Sequence, residues 1–147
     1  MNIRAASPAD YDALAQIWLE SWYSTGLKNL FDPGLEMLQS RIPQEVAKGW
    51  SLYAAEENDG IAAMLALKPE ELYLDQLWVA PAHQGRGLGR ALLAFTRERL
   101  PREIWLRCVT QNENAWRWYE REGFRFEGEE IVPPSNLRMK RYRWRRA

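Results

Sequence analysis

The chain has 147 residues, 46% hydrophobic and 27% charged, which is enough for one compact domain over residues 1–147 and too little for a second. Twenty basic and twenty acidic residues give a formal net charge of zero, so no global field points to nucleic acid or an anionic membrane. A single cysteine, Cys108, excludes an intramolecular disulfide and a Cys-rich zinc cluster, and no apolar run approaches the roughly 18 residues of a membrane span. Met1–Ala6 lacks the basic and apolar regions of a secretion signal, so a cytoplasmic protein without a metal is expected.

Asn2 to Ala6 reads as a first strand. Ser7-Pro8-Ala9-Asp10 then supplies an N-cap, a proline at the first helical position and an acid three residues after the cap. Tyr11, Leu14, Trp18 and Trp22 recur at helical spacing, which predicts a helix to about residue 21, with Ser24-Thr25-Gly26 beyond its end. Leu35, Leu38, Ile42 and Val46 predict a second helix that Pro43 should kink or split. Trp50–Glu57 and Gly60–Leu67 read as two antiparallel strands joined at Asn58-Asp59-Gly60, because an Asp-Gly pair tolerates the positive φ of a hairpin turn.

Leu72–Val79 is a further strand, closed by Pro81, and a glycine-rich turn follows it. Leu88, Leu92, Leu93 and Phe95 give a helix an apolar face that ends before Pro101, and Ile104–Val109 is again strand-like. Asn112–Glu122 is helical with Gly123 as its cap, and Phe124–Val132 and Leu137–Trp144 form a last strand pair. The order β α α β β β α β α β β describes an α+β domain, a mixed central sheet between helical layers.

The chemistry concentrates in Gln84-Gly85-Arg86-Gly87-Leu88-Gly89-Arg90, where a strand end, a glycine-rich turn and a helix start follow in succession. Glycines allow close backbone approach, the first amides of the helix point outward at the positive end of its dipole, and Arg86 and Arg90 add fixed charge, so a phosphate or pyrophosphate fits. A nucleotide-triphosphate loop would require Gly-Lys-Ser or Gly-Lys-Thr, and a dinucleotide fingerprint a glycine where Arg90 stands. Neither pattern is met. Downstream, Asn112, Ala115 and Tyr119 lie at offsets of three and seven along one helix face, able to line a single ligand.

Gln84-x-x-Gly87-x-Gly89 after Val79-Ala80-Pro81 resembles motif A of the GCN5-related N-acetyltransferase (GNAT) family, and Asn112-x-x-Ala115-x-x-x-Tyr119-x-x-x-Gly123-Phe124 is similar to its second acetyl-CoA-binding segment. The resemblance implies the GNAT fold, acetyl-CoA as cosubstrate, no metal and an amine as acceptor. It assigns Gln84, Gly85, Arg86, Gly87, Leu88, Gly89 and Arg90 to the pyrophosphate, and Asn112 and Ala115 to the pantetheine arm. Leu77, Trp78 and Val79 would offer backbone contacts from a strand that splays from its neighbour. Tyr119 would be the acid for the departing thiolate. Many family members carry a base glutamate on the strand before the turn; here Tyr73 stands at that position, and Asp75, on the same face by the two-residue period, is the expected base, directly or through water.

Glu20, Trp22 and Tyr23, at the end of the first helix, are expected to help wall the acceptor site, with Tyr73 opposite. Packing is the competing reading for Trp22 and for Trp18. His83, the only histidine, reads as an exposed loop side chain, and Cys108 as buried packing rather than a nucleophile. The run from Arg138 to Arg146 interleaves bases with aromatic rings and reads as a solvated edge strand and tail. Two other readings compete with an enzyme: a non-catalytic acyl-CoA-binding module and a nucleic-acid-binding protein using that tail. No nucleic-acid or membrane partner is expected, and either a monomer or a homodimer fits.

Overall fold

The computed structural model describes residues 1–147. Seven strands form one sheet in the order β1-β2-β3-β4-β5-β7-β6: β1 Asn2–Ala5, β2 Ser51–Glu57, β3 Gly60–Lys68, β4 Tyr73–Val79, β5 Glu103–Val109, β6 Arg125–Val132 and β7 Leu137–Arg145. All neighbours are antiparallel except β4 and β5. Four helices complete the fold: α1 Tyr11–Ser24, α2 Leu35–Ala47, α3 Leu88–Arg99 and α4 Glu113–Arg121. The expected α+β order and mixed sheet are present.

Each sheet face has its own core. Leu14 and Trp18 of α1, Leu38 and Ile42 of α2, and Met64 and Ala66 of β3 close one face. Leu92 and Leu93 of α3, Leu65 and Leu67 of β3, and Ile104 and Leu106 of β5 close the other. β3 therefore carries an unbroken buried run, as a strand covered on both sides must. Each fully buried leucine or isoleucine contributes roughly 1.5–3 kcal/mol relative to exposure.

Three expectations change. The first helix starts as a 3-10 turn over Pro8–Asp10, and α1 runs on to Ser24. The carboxylate of Asp10 accepts a fork from Arg4 at 2.8 and 3.0 Å and the Ser7 amide at 2.8 Å, which together hold its pKa well below the usual carboxylate range. Helix α2 passes through Pro43 without splitting. Pro43 is exposed, so water can satisfy the freed carbonyl, while Leu38 and Ile42 anchor the inner face.

The basic strand β7 is not at the edge; it lies between β5 and β6. Its charge is paired across the sheet: Arg138 with Glu129, Arg141 with Glu127 and Glu130, and Arg143 with Glu103 and Glu127. Opposite charges on adjoining strands support the pairing, and three of the five bases of the strand are thereby neutralised within the fold.

Candidate active site

The site opens where the sheet parts. Strands β4 and β5 pair only at Tyr73 and Trp105, with the Trp105 amide donating to the Leu72 carbonyl at 3.0 Å. The register of β3 against β4 slips between Ala66 and Leu67, because Gln76 opposes Ala66 and Leu74 opposes Leu67. Asp75 is the extra residue of a β-bulge. A bulge bends its strand and raises its twist, and this one falls just beyond the last β4–β5 pair, so it turns the rest of β4 away from β5.

On the far side of the bulge the ladder with β3 is regular. The Ala80 amide donates to the Ala62 carbonyl at 2.8 Å, so by alternation the backbone of Trp78 also faces β3, while Leu77 and Val79 face the gap. Of the three residues expected to offer backbone contacts there, only Leu77 and Val79 are so turned. The Val79 carbonyl is already occupied: Ser21 Oγ and Gln84 Nε2 both donate to it at 3.0 Å. The side chain of Gln84 thus ties the glycine turn to the strand end.

In the turn, Gly85 and Gly87 have φ of 80° and 82°, the left-handed region that a side chain disfavours, and a Cβ at either would meet nothing within 4 Å. Gly87 is the N-cap of α3, and the Ala91 amide is the first to reach back, to the Gly87 carbonyl at 3.0 Å. The amides of Leu88, Gly89 and Arg90 are left for an anion at the positive helix end. Gly89 serves differently: it is helical, and its Cβ would lie 3.6 Å from the Trp118 ring of α4. Arg90 pairs with Glu122 at 3.3 Å, whereas Arg86 is exposed and does not line the groove.

Asn112, Ala115 and Tyr119 come together as spaced. Asn112 is the N-cap of α4, and all three line a cavity of about 220 Å³ between the parted strands. Leu77, Trp78, Asn112 and Ala115 border both this cavity and the groove beside the glycine turn, so the two adjoin. Tyr119 is 7% exposed, and burial, with Cys108 close by, raises its pKa well above 10.0. Its phenol is a proton donor throughout the neutral range. Burial pushes the Cys108 thiol up to about 12, so it is no nucleophile.

The other end of the cavity is aromatic. Trp18, Trp22, Phe31 and Trp78 line it, with Met37 and Arg41 from α2 and Pro133-Pro134 from the loop before β7. Trp22 meets Trp78 edge-on at 6.4 Å and donates its indole N–H to the Phe31 carbonyl at 2.7 Å. Tyr73 stacks on Trp105 with centroids 4.0 Å apart, and its hydroxyl accepts from Arg107 Nε at 3.2 Å. Burial, reinforced by Asp75, pushes the Tyr73 phenol up to about 12 despite Arg107. Both oxygens of Asp75 are engaged. Oδ2 accepts Trp50 Nε1 at 2.8 Å and lies 3.9 Å from Lys68 Nζ, and Oδ1 accepts Gln76 Nε2 at 3.1 Å.

Glu20 and Tyr23 lie outside the cavity. Glu20 is exposed and accepts from Gln16 at 2.9 Å, and the Tyr23 hydroxyl donates to Asp32 at 2.5 Å. They follow Trp18 and Trp22 in sequence but point from other sides of α1. His83 is buried rather than exposed: its Nε2 lies 3.5 Å from Asp59, and its Nδ1 has no partner. It closes the 3-10 turn Pro81–His83 and lines the groove beside the glycine turn. Arg41, Gln76 and Arg107 were not foreseen as lining residues. Arg41 follows Leu38 by three residues, so it borders the inward stripe of α2, which is the one signal the sequence held for it. No helix is long and apolar enough to cross a membrane.

Comparison with known proteins follows the same lines. The sequence model described as the acetyltransferase (GNAT) family matches residues 11–124. A Mycobacterium tuberculosis protein named probable N-acetyltransferase Rv2775 is 29% identical over 145 residues, covering 87% of this chain and 82% of its own. Peptidyl-lysine N-acetyltransferase YiaC of Escherichia coli is 27% identical over 125 residues, covering 83% and 82%. The fold is shared with the PaiA N-acetyltransferase of Thermoplasma acidophilum, solved with coenzyme A, at 19% identity and a TM-score of 0.73 over 99% of this chain and 98% of that one.

Proposed function

The chain belongs to the GNAT acetyltransferase family, and on that premise we propose that it moves an acetyl group from acetyl-CoA to a primary amine by direct attack in a ternary complex. One observation carries the reading. A glycine-lined groove with unpaired helix amides adjoins an aromatic cavity at the parting of β4 and β5, and Tyr119 lines that cavity together with Asn112 and Ala115, which border both.

The residues present fit coenzyme A. The turn at Gly85 and Gly87 is open where a Cβ would stand, and the amides of Leu88, Gly89 and Arg90 hold the pyrophosphate, with the Arg90 side chain, which lines the groove beside Glu122, adding charge. Gln84 keeps the turn in place from the Val79 carbonyl. Leu77, and Val79 through its amide N–H alone, offer the free edge of β4 to the pantetheine arm, and Asn112 and the small Ala115 face it from α4.

Acetyl-CoA supplies the acetyl group as an activated thioester. Asp75 takes a proton from the acceptor ammonium, directly or through water, and frees the nitrogen lone pair. As the carbon–nitrogen bond forms and the carbon–sulfur bond breaks, a gap-facing amide of β4 receives the charge on the carbonyl oxygen. Tyr119 gives its proton to the departing sulfur; the second proton that the nitrogen loses as the amide forms passes through solvent and reprotonates Tyr119, while Asp75 releases the proton it took. The sum is an amide, a thiol and one proton. Trp22 and Tyr73 wall the acceptor end.

Thermal unfolding with acetyl-CoA, followed by release of free thiol across polyamines, amino acids and amino-terminal peptides, tests the proposal. Stabilisation with turnover of at least one amine is expected. Stabilisation without turnover would leave a binding module, and no stabilisation would remove both readings.

A further inference from the structure

We infer that the acceptor is a primary amine that also carries a carboxylate on an apolar or aromatic body, and that Arg41 recognises the carboxylate. This rests on the acetyltransferase reading of the same cavity.

The charges that line the cavity are few: Arg41, Arg107 and Asp75. Arg107 is committed, with Nε on the Tyr73 hydroxyl at 3.2 Å and Nη1 3.5 Å from Glu130. Asp75 is shared with the Lys68 ammonium and the Trp50 indole. Arg41 differs from both. Its guanidinium lies 5.1 Å from the centroid of the Trp18 ring and has neither a carboxylate nor a carbonyl as partner. It lines the same cavity as Tyr73 and Asp75.

A half-buried guanidinium with five donors and no acceptor is matched by a ligand carboxylate, which can take two parallel N–H bonds from it. A polyamine would meet the opposite field: two arginines against one carboxylate that already has a cation beside it. An amino acid or a comparable zwitterion fits at both ends. Its ammonium lies toward Asp75 and the parting of the strands, its carboxylate toward Arg41 on α2, and its apolar body against Trp18, Trp22, Phe31 and Met37.

Binding to the free protein measures this without catalysis, and the tryptophans of the cavity report it by fluorescence. The probes are L-phenylalanine, phenethylamine, which is the same molecule without its carboxylate, and spermidine. L-phenylalanine should bind at least tenfold more tightly than either of the others. Arg41→Gln should weaken L-phenylalanine by about ten- to a hundredfold and leave phenethylamine within twofold, and Arg41→Lys should restore part of the loss. Unchanged thermal stabilisation of both variants by acetyl-CoA establishes that they are folded.

The inference is overturned if spermidine or phenethylamine binds as tightly as L-phenylalanine, if Arg41→Gln weakens both aromatic probes alike, or if folded protein binds none of them. The same amines in the free-thiol assay keep the two proposals apart. The expected binding pattern without turnover of any amine would remove the enzyme and leave the carboxylate site standing. Turnover of spermidine alone would do the reverse.

Discussion

The proposed coenzyme half of the site, Gly85–Arg90 with Asn112 and Ala115, would work mainly through backbone groups, whereas the proposed acceptor half gathers side chains from α1, α2, β4, β5 and the loop before β7. Backbone recognition demands particular conformations, and those demands leave local marks: a positive φ at Gly85 and Gly87, a small residue at Ala115, a strand end followed at once by a helix. Side-chain recognition demands only that distant positions converge. The first half is therefore constrained in sequence and the second in space, and each should fail in its own way when altered.

Tyr119→Phe removes the proton donor that lines the cavity beside Asn112 and Ala115 and is expected to have the largest effect. It should cut kcat about a thousandfold while acetyl-CoA still stabilises the protein, as thiol release and thermal unfolding together would record. A fall below tenfold would reduce Tyr119 to packing. The sign of the pH dependence follows from its raised pKa. The phenol stays protonated as pH rises through 7 to 9, so the wild-type rate should climb with deprotonation of the amine and show no descending limb below pH 10.

Asp75→Asn sharpens the contrast from the acceptor side. The amide oxygen can still accept from Trp50, so the bulge should persist while kcat drops about a hundredfold. An unaltered rate would exclude Asp75 as the base. Gly87→Ala addresses the other half alone. Forcing a Cβ into the left-handed region costs about 1–2 kcal/mol, which should raise the KM for acetyl-CoA roughly 5- to 30-fold and leave acceptor KM unchanged. A rise in both would mean that the halves do not act separately.

Glu20→Ala and Tyr23→Phe should do least. Neither side chain reaches the cavity, and acceptor KM should stay within twofold in steady-state assays. A larger change would show that α1 moves when the acceptor binds.

How far the sequence could be read follows the same division. Helical spacing at Tyr11, Leu14 and Trp18, the Asp59-Gly60 turn and the Pro81 stop mark every strand and helix, because each is a local choice between two periodicities. The glycine turn and the Asn112, Ala115, Tyr119 face are equally local. The aromatic end of the cavity is only partly legible: Trp22 and Tyr73 line it, but Glu20 and Tyr23 do not, since four residues of one helix span all its sides. Arg41 enters only when α2 packs on α1. The burial of His83 and the interior place of β7 likewise depend on contacts between segments far apart in sequence.

The bulge at Asp75 differs from every other feature of the site in being a matter of number. Leu74 and Leu77 both serve the α3 side of the sheet, three positions apart where a regular strand would allow two or four. The odd interval means that substitution can retune the site but not close it. Adding or deleting a codon in β4 would exchange the faces of the residues on one side of it, sending Leu77 and Trp78 toward each other's cores. A reading frame that preserves the length of this strand preserves the opening, whatever acceptor the surrounding side chains come to favour.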